Sequence, residues 1–327
     1  MTPRHPSIDI SRGIAMILVV FGHALIGVMA AVGETALARF LVILVYTSHM
    51  PLFFALSGAL SGRLMALLWW TFLSELSRRI LWPYVLWSVL ILSAHYLMRQ
   101  HTNTMPTGFR PWVILWQPPA VMWFLWVLGL SFVARRLLVG LPKRVVALIG
   151  LGTLMAAYAL TLPIGNARFV GVFLIATLIP LRWFTSPPSA ALLGGAALVM
   201  IATAGLAWHE ASTKLIGYPA GAAIYLPAMV AGPVLLLSAS HVLAKQSALR
   251  FTVHLSSGLA AIGRHSMAIF VTHIFVTAGV RILLQGVGVD AFWTLVASCT
   301  VAGVMLPLWI SRWADAIGAS PLLGWQR

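Results

Sequence analysis

The residues best suited to chemistry lie on the first apolar stretch of the chain, where ten residues separate Arg12 from His23. An α-helix turns about 100° per residue, so these two side chains lie roughly 20° apart around the axis. Asp9 lies three positions before Arg12 and joins the same stripe. A rise of about 1.5 Å per residue puts His23 about 16 Å from Arg12, near the middle of a bilayer about 30 Å thick. The spacing therefore predicts a helix with an ion pair at its mouth and an imidazole at membrane mid-depth, on one face.

Two further histidines are predicted at a similar depth. His49 lies ten residues from Arg39, and Pro51 removes a backbone donor from the turn that carries it. His273 lies nine residues beyond Arg264, which is about 14 Å of helix. Ionisable residues inside a span are costly, so each of them is a candidate functional residue. Three imidazoles from three spans at one depth predict a shared chamber.

Each histidine also has a structural interpretation, because a neutral imidazole can simply hydrogen-bond a neighbouring helix. This alternative is strongest for His273, since Ser266 and Thr272 nearby suit the same purpose. On a continuous helix Ser266 shares a face with His273, whereas Arg264 points the other way. The functional interpretation rests on the unperturbed histidine pKa of about 6.5, which suits proton transfer near neutral pH.

The elements that position these residues are membrane helices. The chain has 61% hydrophobic and 8% charged residues, whereas soluble globular proteins have about 25% charged residues. Apolar runs of about twenty residues predict an all-α, polytopic membrane bundle forming one domain over residues 1–327. The ten predicted spans are 13–33, 37–62, 80–98, 120–139, 145–163, 167–181, 189–208, 219–243, 259–284 and 289–311. The segment Leu64–Leu73 is too short to span and is expected to be interfacial or re-entrant.

The charge and the cysteine content of the chain limit the kinds of binding partner that we expect. Most of the 21 Lys and Arg residues fall on the side that carries both termini, which predicts cytoplasmic termini. Membrane orientation explains the net charge of +15 better than nucleic-acid binding does. The single cysteine, Cys299, excludes disulfides within the chain and a cysteine metal cluster. We therefore expect a lipid bilayer as partner, no nucleic acid and no metal.

These stretches together resemble the acyltransferase 3 family of integral membrane acyltransferases. That family opens with Asp-x-x-Arg-Gly-x-Ala and a His ten residues after the Arg, and its second span carries His-x-Pro-x-Phe-Phe-x-x-Ser-Gly. The matching residues are Asp9, Arg12, Gly13, Ala15 and His23, then His49, Pro51, Phe53, Phe54, Ser57 and Gly58. Further similar elements lie at Arg78, Arg79, Pro83 and Tyr84, at Trp123, Phe124 and Leu125, and at Gly263, Arg264, Ser266 and His273.

The resemblance implies transfer of an acyl group, usually acetyl from acetyl-CoA, to a hydroxyl of a cell-surface glycan or its lipid-linked precursor. It also implies a multi-pass protein of a bacterial inner membrane. Acetyl-CoA would be the acyl donor and the glycan or lipid-linked sugar the acceptor. Some relatives transfer succinyl or longer groups, so the motifs leave the donor open.

Carried onto this sequence, the resemblance gives each candidate a role. His23 is expected to be the general base, with Asp9 and Arg12 ordering the cytoplasmic mouth, while an acetyl-histidine intermediate at His23 is an alternative route. His49 or His273 is expected to donate to the developing oxyanion or to orient the acceptor. The expected phosphate-binding residues are Arg12, Arg78 and Arg79, because guanidinium groups suit such oxygens. The expected substrate-binding residues are Ser57, Trp123, Ser266 and His273.

The main competing interpretation is a transporter or flippase, because histidines in membranes also serve proton relays and carriers often contain broken helices. The sequence shows no paired half-repeats and no acidic residue deep in a predicted span, which disfavours a proton- or sodium-coupled carrier. A purely structural membrane protein would not need Arg12 and His23 aligned on one helix.

Overall fold

The computed structural model describes residues 5–97, 110–159, 165–213, 223–245 and 250–325, and within these ranges the chain is helical without any strand. The α-helices are α1 (Pro6–Val32), α2 (Ala36–Ala59), α3 (Gly62–Met65), α4 (Trp69–Leu76), α5 (Trp82–Leu97), α6 (Trp123–Leu137), α7 (Lys143–Ala159), α8 (Arg168–Ala176), α9 (Arg182–Thr185), α10 (Ala190–Thr213), α11 (Ala228–Lys245), α12 (Arg250–Arg264), α13 (Ser266–Gly286) and α14 (Phe292–Ala316). A π-helical segment, Ser77–Leu81, joins α4 to α5. Short 3-10 turns lie at Pro111–Leu115, Ala120–Met122, Gly165–Ala167 and Ala223–Tyr225.

Eight helical stretches in the described ranges are long and apolar enough to cross a membrane. They are Pro6–Val32, Ala36–Ala59, Trp69–Leu97, Pro111–Leu137, Ala190–Thr213, Ala223–Lys245, Ser266–Gly286 and Phe292–Ala316. The polytopic helical bundle predicted from composition is therefore confirmed. The number of crossings and the side of the termini stay predictions.

The two other predicted spans, 145–163 and 167–181, coincide with the shorter helices α7 and α8. Residues 160–163 of the first of these spans lie outside the described residues. The helix α8 has only nine residues, about 14 Å of rise, which is less than half of a typical hydrocarbon core.

The segment Leu64–Leu73 divides between two helical elements. Its first residues end α3, and Trp69 begins a helical stretch that continues to Leu97. The Arg136 guanidinium donates to the carbonyls of Met65 and Leu67, at 2.6 and 2.7 Å, and so satisfies the backbone between the two helices. The interfacial or re-entrant position expected for this segment stays a prediction.

The helix α1 lies at the centre of the bundle and packs against α2, α11, α12, α13 and α14. The main hydrophobic core includes buried residues of α1 itself and of α2, α5, α6, α8 and α13. Within this core the Phe124 ring lies 5.1 Å from both the Phe54 and Phe270 rings, in edge-to-face geometry. These rings join α2, α6 and α13 at the level of the candidate site.

Two glycines allow α1 and α12 to approach closely. A Cβ atom added at Gly13 would collide with the Leu259 carbonyl oxygen, and one added at Gly263 would collide with the Asp9 carbonyl oxygen. Backbone atoms occupy both spaces, so a larger residue could be accepted only if one of the helices moved. This contact places the beginning of α1 beside the end of α12.

The close approach predicts that Gly263→Ala destabilises the protein by about 1–3 kcal/mol, because the added methyl group meets backbone rather than a flexible side chain. The measurement is the thermal unfolding temperature of the purified protein in detergent.

Gly258→Ala is the matched control, since Gly258 lies on the same helix with nothing within 4 Å of its added Cβ. This variant should leave the unfolding temperature unchanged or raise it, because alanine favours a helix over glycine. Equal unfolding temperatures for both variants would contradict the packing argument.

Candidate active site

A half-open cavity of about 240 Å³ lies between α1, α2, α6 and the junction of α12 with α13. Its polar and charged lining comes from Asp9, Arg12, Ser57, Arg264 and Ser266. The remaining lining is Met16, Val19, Met50, Phe53, Phe124, Leu128, Gly263, Met267 and Phe270. The structure thus brings the ion pair predicted on α1 together with two of the predicted substrate-binding serines.

The position of Arg264 differs from the sequence prediction. On a continuous helix Arg264 would point away from Ser266, but the structure places both residues in the cavity lining. A helix break lies between them: α12 ends at Arg264, α13 begins at Ser266, and His265 has φ −97° and ψ 16°. The Arg264 side chain therefore reaches the same cavity as Ser266, which the helical spacing did not predict.

The three intramembrane histidines come together in one cluster. The His23 and His273 ring centroids lie 5.2 Å apart, and the Tyr46 ring lies 6.0 Å from His23 and 5.1 Å from His49. His49 and His273 are buried, whereas His23 is partly exposed. No group of three or more His, Cys, Asp or Glu side chains in the described ranges is arranged to hold a metal ion. The cluster thus brings three imidazoles and one phenol ring together inside the bundle.

Tyr46 is a residue of this cluster that the sequence analysis missed. Its hydroxyl oxygen lies 3.5 Å from His23 Nδ1, so it connects the α1 histidine with the α2 histidine. A Cβ atom added at Gly22 would lie 2.8 Å from the Tyr46 ring, so this glycine leaves room for it. The available signal was spacing, because Tyr46 precedes His49 by three residues and shares its face of α2.

Backbone carbonyls orient two of the imidazoles. His49 Nδ1 lies 2.6 Å from the Val45 oxygen, and His273 Nδ1 lies 3.1 and 2.7 Å from the Ile269 and Phe270 oxygens. Because a carbonyl only accepts, Nδ1 must carry the proton in both rings. In the neutral form Nε2 then accepts, so these rings do not donate to an oxyanion unless they are protonated. His273 Nε2 is buried without a hydrogen-bond partner in the described part of the chain.

The cavity and the histidine cluster are adjacent but separate, because no histidine is among the residues that line the cavity. His23 lies four residues beyond Val19, about 6 Å along α1. His49 directly precedes Met50, and His273 follows Phe270 by three residues. Apolar side chains of the cavity lining therefore form the boundary between the charged mouth and the imidazoles.

Besides the three histidines, three further predicted site residues do not line this cavity. Arg78 and Arg79 are exposed on the π-helical segment and both form ion pairs with Glu75, with Arg79 Nε 2.6 Å from its carboxylate. The Trp123 ring stacks on Phe169 at 5.6 Å, and its neighbour Phe124 lines the cavity instead. The structure therefore does not bring the predicted phosphate-binding pair or the predicted tryptophan to the cavity.

The fold and these two adjacent groups of residues define a multi-pass helical membrane protein with a polar site inside the bundle. A family model described as an acyltransferase domain matches residues 5–312 of the 327-residue chain. The chain therefore belongs to the acyltransferase 3 family, as its motifs predicted. No match was found among curated proteins or among solved structures. The match covers every residue of the cavity and the histidine cluster.

The hydrogen bonds of His49 and His273 predict their tautomers. In protein carrying ¹⁵N-labelled histidine, both rings should show a protonated Nδ1 and an unprotonated Nε2 by NMR, because Nδ1 donates to backbone carbonyls. The variants His49→Gln and His273→Gln assign the two signals. A protonated Nε2 with a bare Nδ1 at either position would contradict the geometry described here.

Proposed function

We propose that this membrane acyltransferase moves an acetyl or related acyl group from cytoplasmic acyl-CoA to a sugar hydroxyl of a surface polysaccharide, an exopolysaccharide or its lipid-linked precursor. The family match supports the transferase activity. The carrying observation is that α1 presents Arg12 to the cavity and, farther along the helix, His23 to the histidine cluster. One helix thus joins a cationic mouth to a proton acceptor, as attack on a thioester requires.

The donor would enter from the charged end of the cavity. CoA carries phosphates, and a guanidinium group such as that of Arg12 binds phosphate oxygens with charge-assisted hydrogen bonds. Asp9 also lines this mouth and would order Arg12. The thioester arm would then extend along the apolar lining toward His23. We propose that the charged mouth faces the cytoplasm of a bacterial cell and that the bundle lies in its inner membrane.

The transfer itself needs a group that takes the proton from the attacking sugar hydroxyl. The hydroxyl oxygen forms a bond to the acyl carbon, the carbon–sulfur bond breaks, and the proton passes to His23 and then to the sulfur of CoA. If His23 Nδ1 donates to the Tyr46 hydroxyl, His23 Nε2 is the accepting atom. An acetyl-histidine intermediate at His23 is the alternative route.

The other cluster and cavity residues would hold the acceptor. The unpartnered Nε2 of His273 suits a hydrogen bond from a sugar hydroxyl. The accepting nitrogen of neutral His49 is also Nε2, because its Nδ1 donates to the Val45 carbonyl. Ser57 and Ser266 add hydroxyl groups on the cavity side. This assigns an accepting role to the two buried histidines, in place of donation to an oxyanion.

Release of CoA by the purified protein tests the proposed reaction. With acetyl-CoA and a panel of sugar and lipid-linked sugar acceptors, free thiol should appear together with acetylated acceptor, in equal amounts. A transporter or flippase would instead move its substrate across proteoliposomes without consuming acyl-CoA. Flux without thiol release would therefore overturn the proposed activity.

His23→Ala should lower acyl transfer by about 10²–10⁴-fold, the contribution of a positioned general base. Folding should be preserved, because His23 is partly exposed and its ring packs mainly against other polar rings. Transfer rate and thermal unfolding are measured on the same preparation.

The matched control is His254→Ala, which removes an exposed histidine of α12 and should leave the transfer rate unchanged. Full transfer by a folded His23→Ala variant would remove this imidazole from the chemistry.

A further inference from the structure

The arginines near the site differ in how they are compensated. Arg78 and Arg79 share the carboxylate of Glu75, and Arg136 is bound to two backbone carbonyls. Arg264 lines the cavity, is exposed, and forms no hydrogen bond or ion pair with any residue in the described ranges. The cavity mouth therefore carries a guanidinium group that is available to an anion.

The break between α12 and α13 sets the position of this guanidinium. His265 at the break is buried, with 8% of its surface exposed, and its Nδ1 lies 2.8 Å from the hydroxyl of Ser311, itself 2% exposed, on α14. The Asp315 carboxylate lies 3.8 Å from the same nitrogen and accepts a 2.5 Å hydrogen bond from Ser320. These contacts fix His265 to the end of α14 on one side of the chain, while Arg264 faces the cavity.

The neighbouring glycine brings Arg264 close to the mouth of α1. Gly263 packs directly against the backbone carbonyl of Asp9, one helical turn before Arg12. Arg12 and Arg264 therefore approach the same cavity from two different helices. Two guanidinium groups converging from separate helices match the several oxygens of a phosphate ester better than one group does.

We propose that Arg264 is the second phosphate-binding residue of the cavity, opposite Arg12, and that His265 is the positioning residue that holds it there. This rests on the proposed function, because it takes acyl-CoA to be the ligand. It assigns to Arg264 the contact that the sequence motifs assigned to Arg78 and Arg79. The shared ligand chemistry is a phosphate ester, which a phospholipid headgroup also carries.

Binding of CoA to the full-length protein in phospholipid-free maltoside detergent tests the proposal. Arg264→Gln should weaken CoA binding about tenfold, the size of one charge-assisted hydrogen bond. The CoA affinity of Arg264→Lys should lie between those of Arg264→Gln and the wild type. Pantetheine, which lacks phosphate, should bind all three proteins equally. Arg144→Gln is the matched control, since Arg144 is an exposed arginine of α7 outside the cavity lining, and it should bind CoA as the wild type does.

The positioning role of His265 has its own readout. His265→Ala should raise KM for acetyl-CoA with little change in kcat, because it leaves the histidine cluster intact. His265→Asn should restore much of the loss, since its amide nitrogen can replace Nδ1 opposite Ser311. Each protein's unfolding temperature is measured in parallel. A fall in kcat without a change in KM, or failure of the asparagine variant to rescue KM in a folded protein, would overturn this role.

The outcomes separate this proposal from the proposed function. Failure of the wild-type protein to bind CoA would overturn the acyl-CoA donor and with it the ligand assigned to Arg264. Normal CoA binding by the folded Arg264→Gln variant would overturn only the present inference. Added phosphatidylglycerol should not displace CoA. Displacement that depends on Arg264 would show that the residue binds a lipid headgroup instead.

Discussion

The structure depends on the close backbone contact between α1 and α12. Gly13 and Gly263 each face a backbone carbonyl of the other helix, so neither position accepts a side chain without movement of a helix. This contact brings Asp9 and Arg12 beside the end of α12, where Arg264 and Ser266 enter the same cavity. Since apolar lipid supplies no hydrophobic driving force between helices, close packing of small residues is an effective way to fix such a crossing. The charged mouth is thus a product of backbone packing.

A second constraint is the cost of leaving polar groups unpaired inside a membrane. The bundle pairs these groups within a single helix. Nδ1 of His49 and Nδ1 of His273 each donate to a backbone carbonyl of the helix that carries them. This pairing holds each ring in one tautomer and makes its Nε2 a hydrogen-bond acceptor. The stabilising bond and the chemically useful atom therefore belong to the same side chain, and the imidazoles serve both the fold and the proposed reaction.

Helical periodicity was sufficient to predict the bundle, the alignment of Arg12 with the cavity and the meeting of His23 with His273, because these residues lie on long regular helices. Periodicity did not predict Arg264 in the cavity lining, because α12 ends there and His265 next to it contacts the Ser311 hydroxyl, which lies far away in sequence. It also missed Tyr46, whose contact with His23 depends on how α1 and α2 pack. The spacing of residues along one helix does not predict such contacts between helices.

The apolar boundary between cavity and histidine cluster has a consequence for the fate of the acyl group. Val19, Met50 and Phe270 line the cavity on the side of the histidines, so water entering from the charged mouth meets hydrocarbon before it reaches His23. In the proposed reaction, a thioester activated beyond this boundary would be protected from hydrolysis, a side reaction that would waste the donor. The same apolar layer would oppose a continuous file of water molecules through the bundle.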